Sequence, residues 1–124
     1  LAGHVTVEDH VILSGMAGVH QFCRVGAHSM IGGCTKIVQD VPPFTIADGN
    51  PAQIRGLNLI GLQRRGFDPE DIRALKNAYK TLFLKKGINL ASQLETLHAM
   101  DCANNEKVRQ LLDFLGSSER GIVR

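Results

Sequence analysis

The sequence predicts a parallel β-helix over its first 42 residues, followed by a small helical domain. Three observations support this prediction: a six-residue repeat, a pair of prolines where the repeat stops, and amphipathic segments with helix-capping residues after it. The 124 residues are enough for one compact domain or for two small parts that share an interface.

The repeat is visible when the chain is written in hexads: LAGHVT, VEDHVI, LSGMAG, VHQFCR, VGAHSM, IGGCTK and IVQDVP. All seven lead positions hold branched aliphatic residues, and the positions four later hold small or β-branched ones. Neither a strand period of two nor a helical period of about 3.6 keeps such a register. The pattern therefore predicts a coil with three faces, in which the aliphatic residue fills the interior, the small residue fits the corner, and residues 18 apart stack. An antiparallel β domain is the alternative, and the absence of Asn-Gly and Asp-Gly turns from residues 1–36 disfavours it.

The predicted β-helix is short. Adjacent parallel strands lie about 4.8 Å apart, so two and a third coils rise only about 10 Å. A solenoid of this height needs neighbours that cover its ends and sides. We therefore expect a homo-oligomer in which the helical segment caps the C-terminal end.

The repeat stops at Asp40-Val41-Pro42-Pro43, where two prolines remove backbone donors and are expected to force the chain out of the ladder. The cluster Asp48-Gly49-Asn50-Pro51 then predicts a turn. The predicted division is a β-helix with its exit loop over residues 1–54 and a helical domain over residues 55–124.

Three short amphipathic helices are expected in the second part. The first has Asp68 as N-cap and Pro69 at its first position, and it ends at Gly87. The second starts at Asn89, and the third starts after residues 104–105. Their apolar faces are Ile72, Leu75, Tyr79, Leu82 and Phe83, then Leu90, Leu94 and Leu97, then Val108, Leu111, Leu112 and Leu115.

Composition excludes several classes of protein. A net charge of +2, with no basic cluster interleaved with aromatics, excludes a nucleic-acid-binding protein. Cys23, Cys34 and Cys102 are an odd number without a CxxC pair, which indicates a reducing compartment, and we expect a cytoplasmic protein. No stretch is long and apolar enough for a membrane span, and no signal peptide opens the chain.

Because the chain starts in mid-repeat at Leu1, it is expected to be a fragment of a longer protein.

Basic side chains concentrate at the junction between the two parts. Residues 55–86 carry eight basic against three acidic side chains, a net charge of +5. Such an excess can attract a phosphorylated ligand or an acidic protein. The alternative, a solvated helix face, is weakest for Arg64 and Arg65, which are expected in a glycine-containing loop just before a helix.

His10 and His28 are 18 residues apart and are therefore expected to stack on one face. Metal binding is the more specific of two hypotheses for this pair. Two imidazoles without a third ligand favour a surface or interface ladder instead, so we predict neither a metal nor a cofactor.

Several motifs together resemble a known family. The hexads followed by DVPPFTIADGNPA resemble the end of the β-helix in the hexapeptide-repeat acyltransferases. The runs GVHQF, GLNLIGLQRRGF, DPEDIRALKNAYKTLF and SERGI resemble one branch, the UDP-N-acetylglucosamine O-acyltransferases. This resemblance implies a left-handed β-helix, a homotrimer, and transfer of a 3-hydroxyacyl group from acyl carrier protein to the 3-hydroxyl of UDP-N-acetylglucosamine, the first step of lipid A biosynthesis.

The resemblance also implies roles for individual residues. It places the catalytic base, a histidine, in a coil preceding Leu1, so the fragment alone is expected to be inactive, and it places His4 and His20 at an active-site cleft between subunits. The implied substrate-binding residues are Gly15, Gln21, Asn58, Arg64 and Arg65. Gly33 matches the position that limits acyl-chain length, and a glycine there implies a long chain. Ile60 stands where some members carry a glutamate that contacts the ligand.

Two other functions are open from the sequence. The chain by itself could be a non-catalytic trimeric binding or scaffold module. A related hexapeptide-repeat acyltransferase acting on another acceptor is the second alternative, and the run GLNLIGLQRRGF disfavours it.

Overall fold

The computed structural model describes residues 2–84 and 89–124 and shows a β-helix followed by packed helices. Its first six strands are β1 (Thr6–Val7), β2 (Ile12–Leu13), β3 (Gly18–Val19), β4 (Arg24–Val25), β5 (Met30–Ile31) and β6 (Lys36–Ile37). They pair in parallel as β1 with β4, β2 with β5 and β3 with β6, and Val7, for example, lies opposite Val25. Paired residues are 18 apart, which confirms the predicted stacking.

The lead aliphatic residues fill the interior of the coil. Those of the later hexads, Val19, Val25, Ile31 and Ile37, are buried. Val7 and Leu13 of the first coil keep 39% and 37% of their surface exposed because no coil lies above them in the described chain. The prediction for the lead position is confirmed wherever a second coil covers it.

The prediction that the small residue of each hexad fits the corner is confirmed, because this residue closes the corner turn: the Cys23 N–H donates to the His20 carbonyl at 3.2 Å, and the Ser29 N–H donates to the Gly26 carbonyl at 3.3 Å. Cys23, Ser29 and Thr35 are buried inside the coil beside the lead aliphatics. The corners are made by the residues just before them, which adopt a left-handed backbone with φ between 57° and 65°: His4, His10, Met16, Phe22, His28 and Cys34. A left-handed residue closes the turn, so the following side chain points inward and must be small or β-branched.

The coil also continues past the two prolines, contrary to the predicted exit. β7 (Thr45–Asp48) pairs in parallel with β5, and Met30 lies opposite Ile46. Only after the turn at residues 48–51, as predicted, does β8 (Gln53–Leu57) reverse and pair antiparallel with β7. β8 runs across residues 54 and 55 without a break. The predicted division of the chain into two domains at this point stays a prediction.

The ladder tolerates the prolines because the residues on either side of them donate the necessary bonds. The Val41 N–H donates to the Arg24 carbonyl at 2.9 Å, and the Phe44 N–H donates to the Ala27 carbonyl at 2.9 Å. Neither Pro42 nor Pro43 occupies a position that requires a donor.

The second part is helical: α1 (Leu59–Arg64), α2 (Pro69–Tyr79) continued by a π-helical turn (Lys80–Leu84), α3 (Leu90–His98), a 3₁₀ turn (Asp101–Asn104) and α4 (Glu106–Gly116). The predicted N-cap position of Asp68 is confirmed, although its side chain makes no capping hydrogen bond. The predicted start of the second helix at Asn89 is also confirmed, and the third helix is capped by Asn105. The predicted end at Gly87 lies outside the described residues. α1 was not predicted, so the expected loop around Arg64 is in fact a helix, and Arg64 lies in its last turn.

The helices pack onto the last coil. Phe44 is fully buried in one apolar cluster with Leu62 of α1, Leu75 of α2 and Leu111 of α4. The helices therefore pack against the corner of the coil at Phe44, whereas Ala52, Ile54 and Val123 pack against the interior of the coil. That the helical segment caps the C-terminal end of the β-helix stays a prediction. None of the helices within residues 2–84 and 89–124 combines the length and hydrophobicity needed to cross a bilayer.

Candidate active site

A cavity of about 840 Å³ lies between the outer face of one sheet and α1. Its polar wall consists of His10, His28, Asn58, Arg64 and Arg65. Its apolar wall consists of Val11, Ile12, Met30, Ile46, Leu57, Leu59, Ile60 and Gly61. The cavity is therefore suited to a ligand with one polar and one apolar portion.

The apolar wall follows from the strand register. In each two-residue strand the lead aliphatic points inward and the residue before it points outward. On the sheet formed by β2, β5 and β7 those outward residues are Ile12, Met30 and Ile46. The other two sheets present Thr6 with Arg24, and Gly18 with Lys36. The sequence analysis missed this face, although comparing outward positions at 18-residue spacing would have revealed it.

Asn58 fixes α1 against the β-helix. Its Oδ1 accepts a hydrogen bond from the Gly61 N–H at 3.3 Å and its Nδ2 donates to the His28 carbonyl at 2.9 Å. Its backbone N–H donates to the Phe44 carbonyl at 2.8 Å, and the residue is only 5% exposed. These bonds leave one amide hydrogen and one oxygen lone pair for a ligand.

Arg64 and Arg65 lie at the end of α1, both exposed to the cavity. None of the residues lining the cavity in the described chain is an aspartate or a glutamate. Two guanidinium groups without a facing carboxylate form a site suited to phosphate, which arginine binds through paired charge-assisted hydrogen bonds.

The predicted stacking of His10 and His28 is confirmed. Their ring centroids lie 4.9 Å apart, and His28 continues the stack onto Phe44 at 5.8 Å while meeting the edge of Phe67 at 4.9 Å. Burial lowers the pKa of His28, and the charges of His10, Lys107 and Arg65 lower it further against a smaller opposing effect of Asp9. Within the described residues, no group of three or more histidine, cysteine, aspartate or glutamate side chains could hold a metal ion.

The remaining candidate residues do not line this cavity: His4, Gly15, His20, Gln21 and Gly33. All five are exposed. The ring of His4 stacks on Phe22 with centroids 5.0 Å apart. Gly15 and Gly33 occupy equivalent corners of successive coils, since the carbonyl of Gly15 accepts a bond from the Cys34 N–H at 3.1 Å. Of the candidate residues, this cavity therefore holds Asn58, Arg64 and Arg65, while Gly15 and Gly33 lie together at another corner.

Comparison with known proteins identifies the family. The model of domain 2 of UDP N-acetylglucosamine O-acyltransferase matches residues 40–123, well over half of the chain. The chain belongs to this family. Curated relatives named acyl-[acyl-carrier-protein]--UDP-N-acetylglucosamine O-acyltransferase from Burkholderia lata and Burkholderia mallei are 48% and 49% identical over 127 aligned residues, which cover all of this chain.

Solved structures of family members have the same fold. The UDP-N-acetylglucosamine acyltransferase of Bacteroides fragilis matches with a TM-score of 0.94 and 38% identity, covering 100% of this chain and 48% of that one. The Arabidopsis enzyme matches with a TM-score of 0.93 and 35% identity, covering 100% of this chain and 46% of that one. These matches confirm the left-handed parallel β-helix with a C-terminal helical part. The chain spans 48% of the length of the curated relatives named above.

Proposed function

We propose that the full gene product carrying this sequence transfers a 3-hydroxyacyl group from acyl carrier protein to the 3-hydroxyl of UDP-N-acetylglucosamine, the first step of lipid A biosynthesis. The observation that carries the proposal is the 48% identity, over the whole chain, to a protein named for this reaction. The cavity supports it because it combines two arginines, whose guanidinium groups are suited to phosphate, with an apolar wall.

The proposed reaction is a direct acyl transfer. The sugar hydroxyl attacks the thioester carbonyl, a base removes the hydroxyl proton, an ester bond forms, and the carrier thiol leaves with a proton. A sugar hydroxyl is a weak nucleophile, so a positioned base contributes about 10²- to 10⁴-fold. We assign the base to a histidine N-terminal to Leu1 in the full protein and place His4 and His20 in the surrounding cleft, where they orient the substrate.

We assign the substrate-binding residues as follows. Arg64 and Arg65 bind the diphosphate of the sugar nucleotide, and Asn58 contacts the nucleotide while holding α1 in place. Gly15 and Gln21 line the path of the sugar and the acyl group. Because these two residues lie outside the cavity formed by Arg64 and Arg65, the proposal requires a second subunit to complete the site.

A homotrimer would supply that subunit. Its support is the exposure of large apolar side chains on the β-helix, among them Met16 at 88% and Phe22 at 55%. Exposed apolar side chains on adjacent corners indicate a protein contact surface. The proposed enzyme acts in the cytoplasm, in agreement with three free cysteines in the described chain.

The proposed activity can be tested with the full gene product, 3-hydroxyacyl carrier protein and UDP-N-acetylglucosamine. We expect release of free carrier thiol that depends on the sugar nucleotide, and no release would overturn the proposal. The 124-residue chain alone is the comparison: calorimetric binding of the sugar nucleotide without turnover would show that this part is a binding module within the enzyme. Release of thiol with a different amino or hydroxyl acceptor, but not with this one, would favour a related acyltransferase.

The acyl-chain selectivity is a separate prediction. A Cβ at Gly33 would lie 3.5 Å from the Gly15 carbonyl oxygen, an ordinary contact, so a larger side chain fits and projects from the corner. We expect Gly33→Met to shift the preference of the full enzyme toward shorter acyl chains, measured by competition between carrier proteins with chains of different length. Gly116→Met in α4, where nothing lies within 4 Å, is the control, and an unchanged preference in Gly33→Met would contradict the assignment.

A further inference from the structure

His10 is the exposed end of an aromatic stack that forms part of the cavity wall. It lies in the turn between β1 and β2 with a left-handed backbone, and its ring packs on His28 at a centroid distance of 4.9 Å. The stack is tied to the arginine-bearing helix, because the carbonyl of His28 accepts the bond from Asn58, the N-cap of α1. The imidazole of His10 and the guanidinium groups at the end of α1 therefore line one cavity.

The surroundings of this stack carry positive charge. Arg64 and Arg65 line the same cavity, and Lys107 of α4 lies over the ring of Phe67 at 4.7 Å. Asp9, next to His10 in the turn, is the acidic group that opposes them at His28. A bound anion favours a proton on an imidazole that faces it.

We propose that His10 is a further substrate-positioning residue: its imidazole edge donates a hydrogen bond to an anionic oxygen of the ligand held by Arg64 and Arg65, and ligand binding is accompanied by proton uptake. This inference rests on the proposed binding of a sugar nucleotide in the cavity. His28, half-buried between His10 and Phe44, supports the ring from below. The ligand class is a diphosphate ester, whose anionic oxygens accept charge-assisted hydrogen bonds from guanidinium and imidazolium groups.

The proposed proton uptake can be measured through the pH dependence of ligand affinity. If the bound complex holds more protons than the separate partners, affinity rises as the pH falls. Histidine is the side chain that ordinarily changes charge between pH 5 and 8, so the effect is expected in that range. The two arginines stay charged throughout it and cannot produce such a dependence.

The experiment is isothermal titration calorimetry of the full gene product with UDP-N-acetylglucosamine and, separately, with inorganic pyrophosphate. Titrations at about pH 6 and pH 8, in two buffers of different ionisation enthalpy, measure both affinity and proton uptake. His10→Phe keeps a ring on His28 and removes the donor, His10→Gln keeps a donor that does not titrate, and His98→Gln on α3 is the control.

We expect the wild-type protein to bind with net proton uptake and with higher affinity at the lower pH. His10→Phe should lose the proton uptake and about tenfold in affinity at the lower pH, the effect of one exposed charge-assisted hydrogen bond. His10→Gln should lose the pH dependence and keep part of the affinity, and His98→Gln should match the wild type. Equal affinity and equal proton uptake in His10→Phe and the wild type would overturn the proposal.

The two probes separate this proposal from the proposed function. Pyrophosphate binding with a His10-dependent proton uptake, without binding of the sugar nucleotide, would support the role of His10 and count against the proposed substrate. Binding of neither probe would overturn the role of His10.

Discussion

Asp40 shows how one residue can join the two parts of the molecule. The residue is only 2% exposed, and its carboxylate accepts bonds from the Arg24 backbone N–H at 2.8 Å and from the Ser118 hydroxyl at 2.7 Å. The Nε of Arg24 lies 3.8 Å from the same carboxylate, while its Nη2 donates to the carbonyl of Phe114 in α4. This carboxylate thus links the corner of the coil to the C-terminal segment.

We expect Asp40→Asn to lower the free energy of unfolding by about 2 kcal/mol, since it removes the charge from a buried, charge-assisted network. Urea denaturation measures the change. Asp113→Asn, which alters an exposed carboxyl group of α4, is the matched control and should leave the midpoint nearly unchanged. Equal midpoints for the two variants would show that the Asp40 network does not hold the parts together.

His28 should make stability depend on pH. Burial, followed by the charges of His10, Lys107 and Arg65, lowers its pKa in the folded chain, while in the unfolded chain a histidine has a pKa of about 6.5. Between these two values the unfolded chain binds more protons, so the free energy of unfolding rises with pH and levels off above about 6.5. Urea denaturation at about pH 5.5 and pH 7.5 should show a smaller difference for His28→Phe and His28→Gln than for the wild type. A difference of the same size in all three proteins would mean that His28 is not the source.

At the scale of elements, the sequence predicts the strands and contacts that follow from the six-residue repeat. The 18-residue stacking is visible in the sequence because every complete coil offers the same interior to the same aliphatic position. β7 was not predicted because its coil is shorter than the others. Its pairing with β5 joins Met30 to Ile46, which are only 16 residues apart, so this coil does not continue the six-residue repeat. α1 escaped because its six residues are too few to show a helical period, and Asn58 was the one local signal.

The cavity was predictable only in part, because one of its walls is formed by α1, which the sequence did not predict. Arg64 and Arg65 are recognisable from sequence as part of a local excess of basic side chains, but their position over the β2 and β5 face depends on the unpredicted α1. The left-handed corners also could not be predicted, because residues other than glycine seldom adopt a positive φ. His10 and His28 were placed correctly through their spacing, whereas their contacts with Phe44 and Phe67 depend on the tertiary fold.

The packing of one coil on the next can be tested at a glycine. A Cβ at Gly26 would lie 2.4 Å from the backbone nitrogen of Pro43 and 2.7 Å from its Cα, so the shortened coil would have to shift. We expect Gly26→Ala to lower the free energy of unfolding by about 1–3 kcal/mol, the usual cost of overpacking. Gly56→Ala in β8, with nothing within 4 Å of the new Cβ, should change it by less than about 0.5 kcal/mol. Thermal denaturation of the two variants measures the contrast, and similar melting temperatures would contradict close packing at Pro43.

At the scale of the whole molecule, two features support the proposal that a second subunit completes the site. The residues implied for the cleft and for the acyl path lie on corners away from the cavity that holds the two arginines. The β-helix also exposes Met16 and Phe22 on either side of β3, whose outward residue, Gly18, adds no side chain. This side of the coil is therefore apolar at its edges and open to close approach by another backbone.

The assembly itself gives the last prediction. We expect light scattering of the full gene product to give three times the mass of its chain, because a homotrimer would bury this side and bring the two groups of site residues together. Phe22→Asp should increase the fraction of monomer, since it places a charge in the contact, and should lower acyl transfer in proportion. Gln110→Asp, which adds the same charge to the exposed face of α4, should do neither. A wild-type monomer that retains full acyl transfer would mean that the site is completed within one chain, by residues beyond those described in this structure.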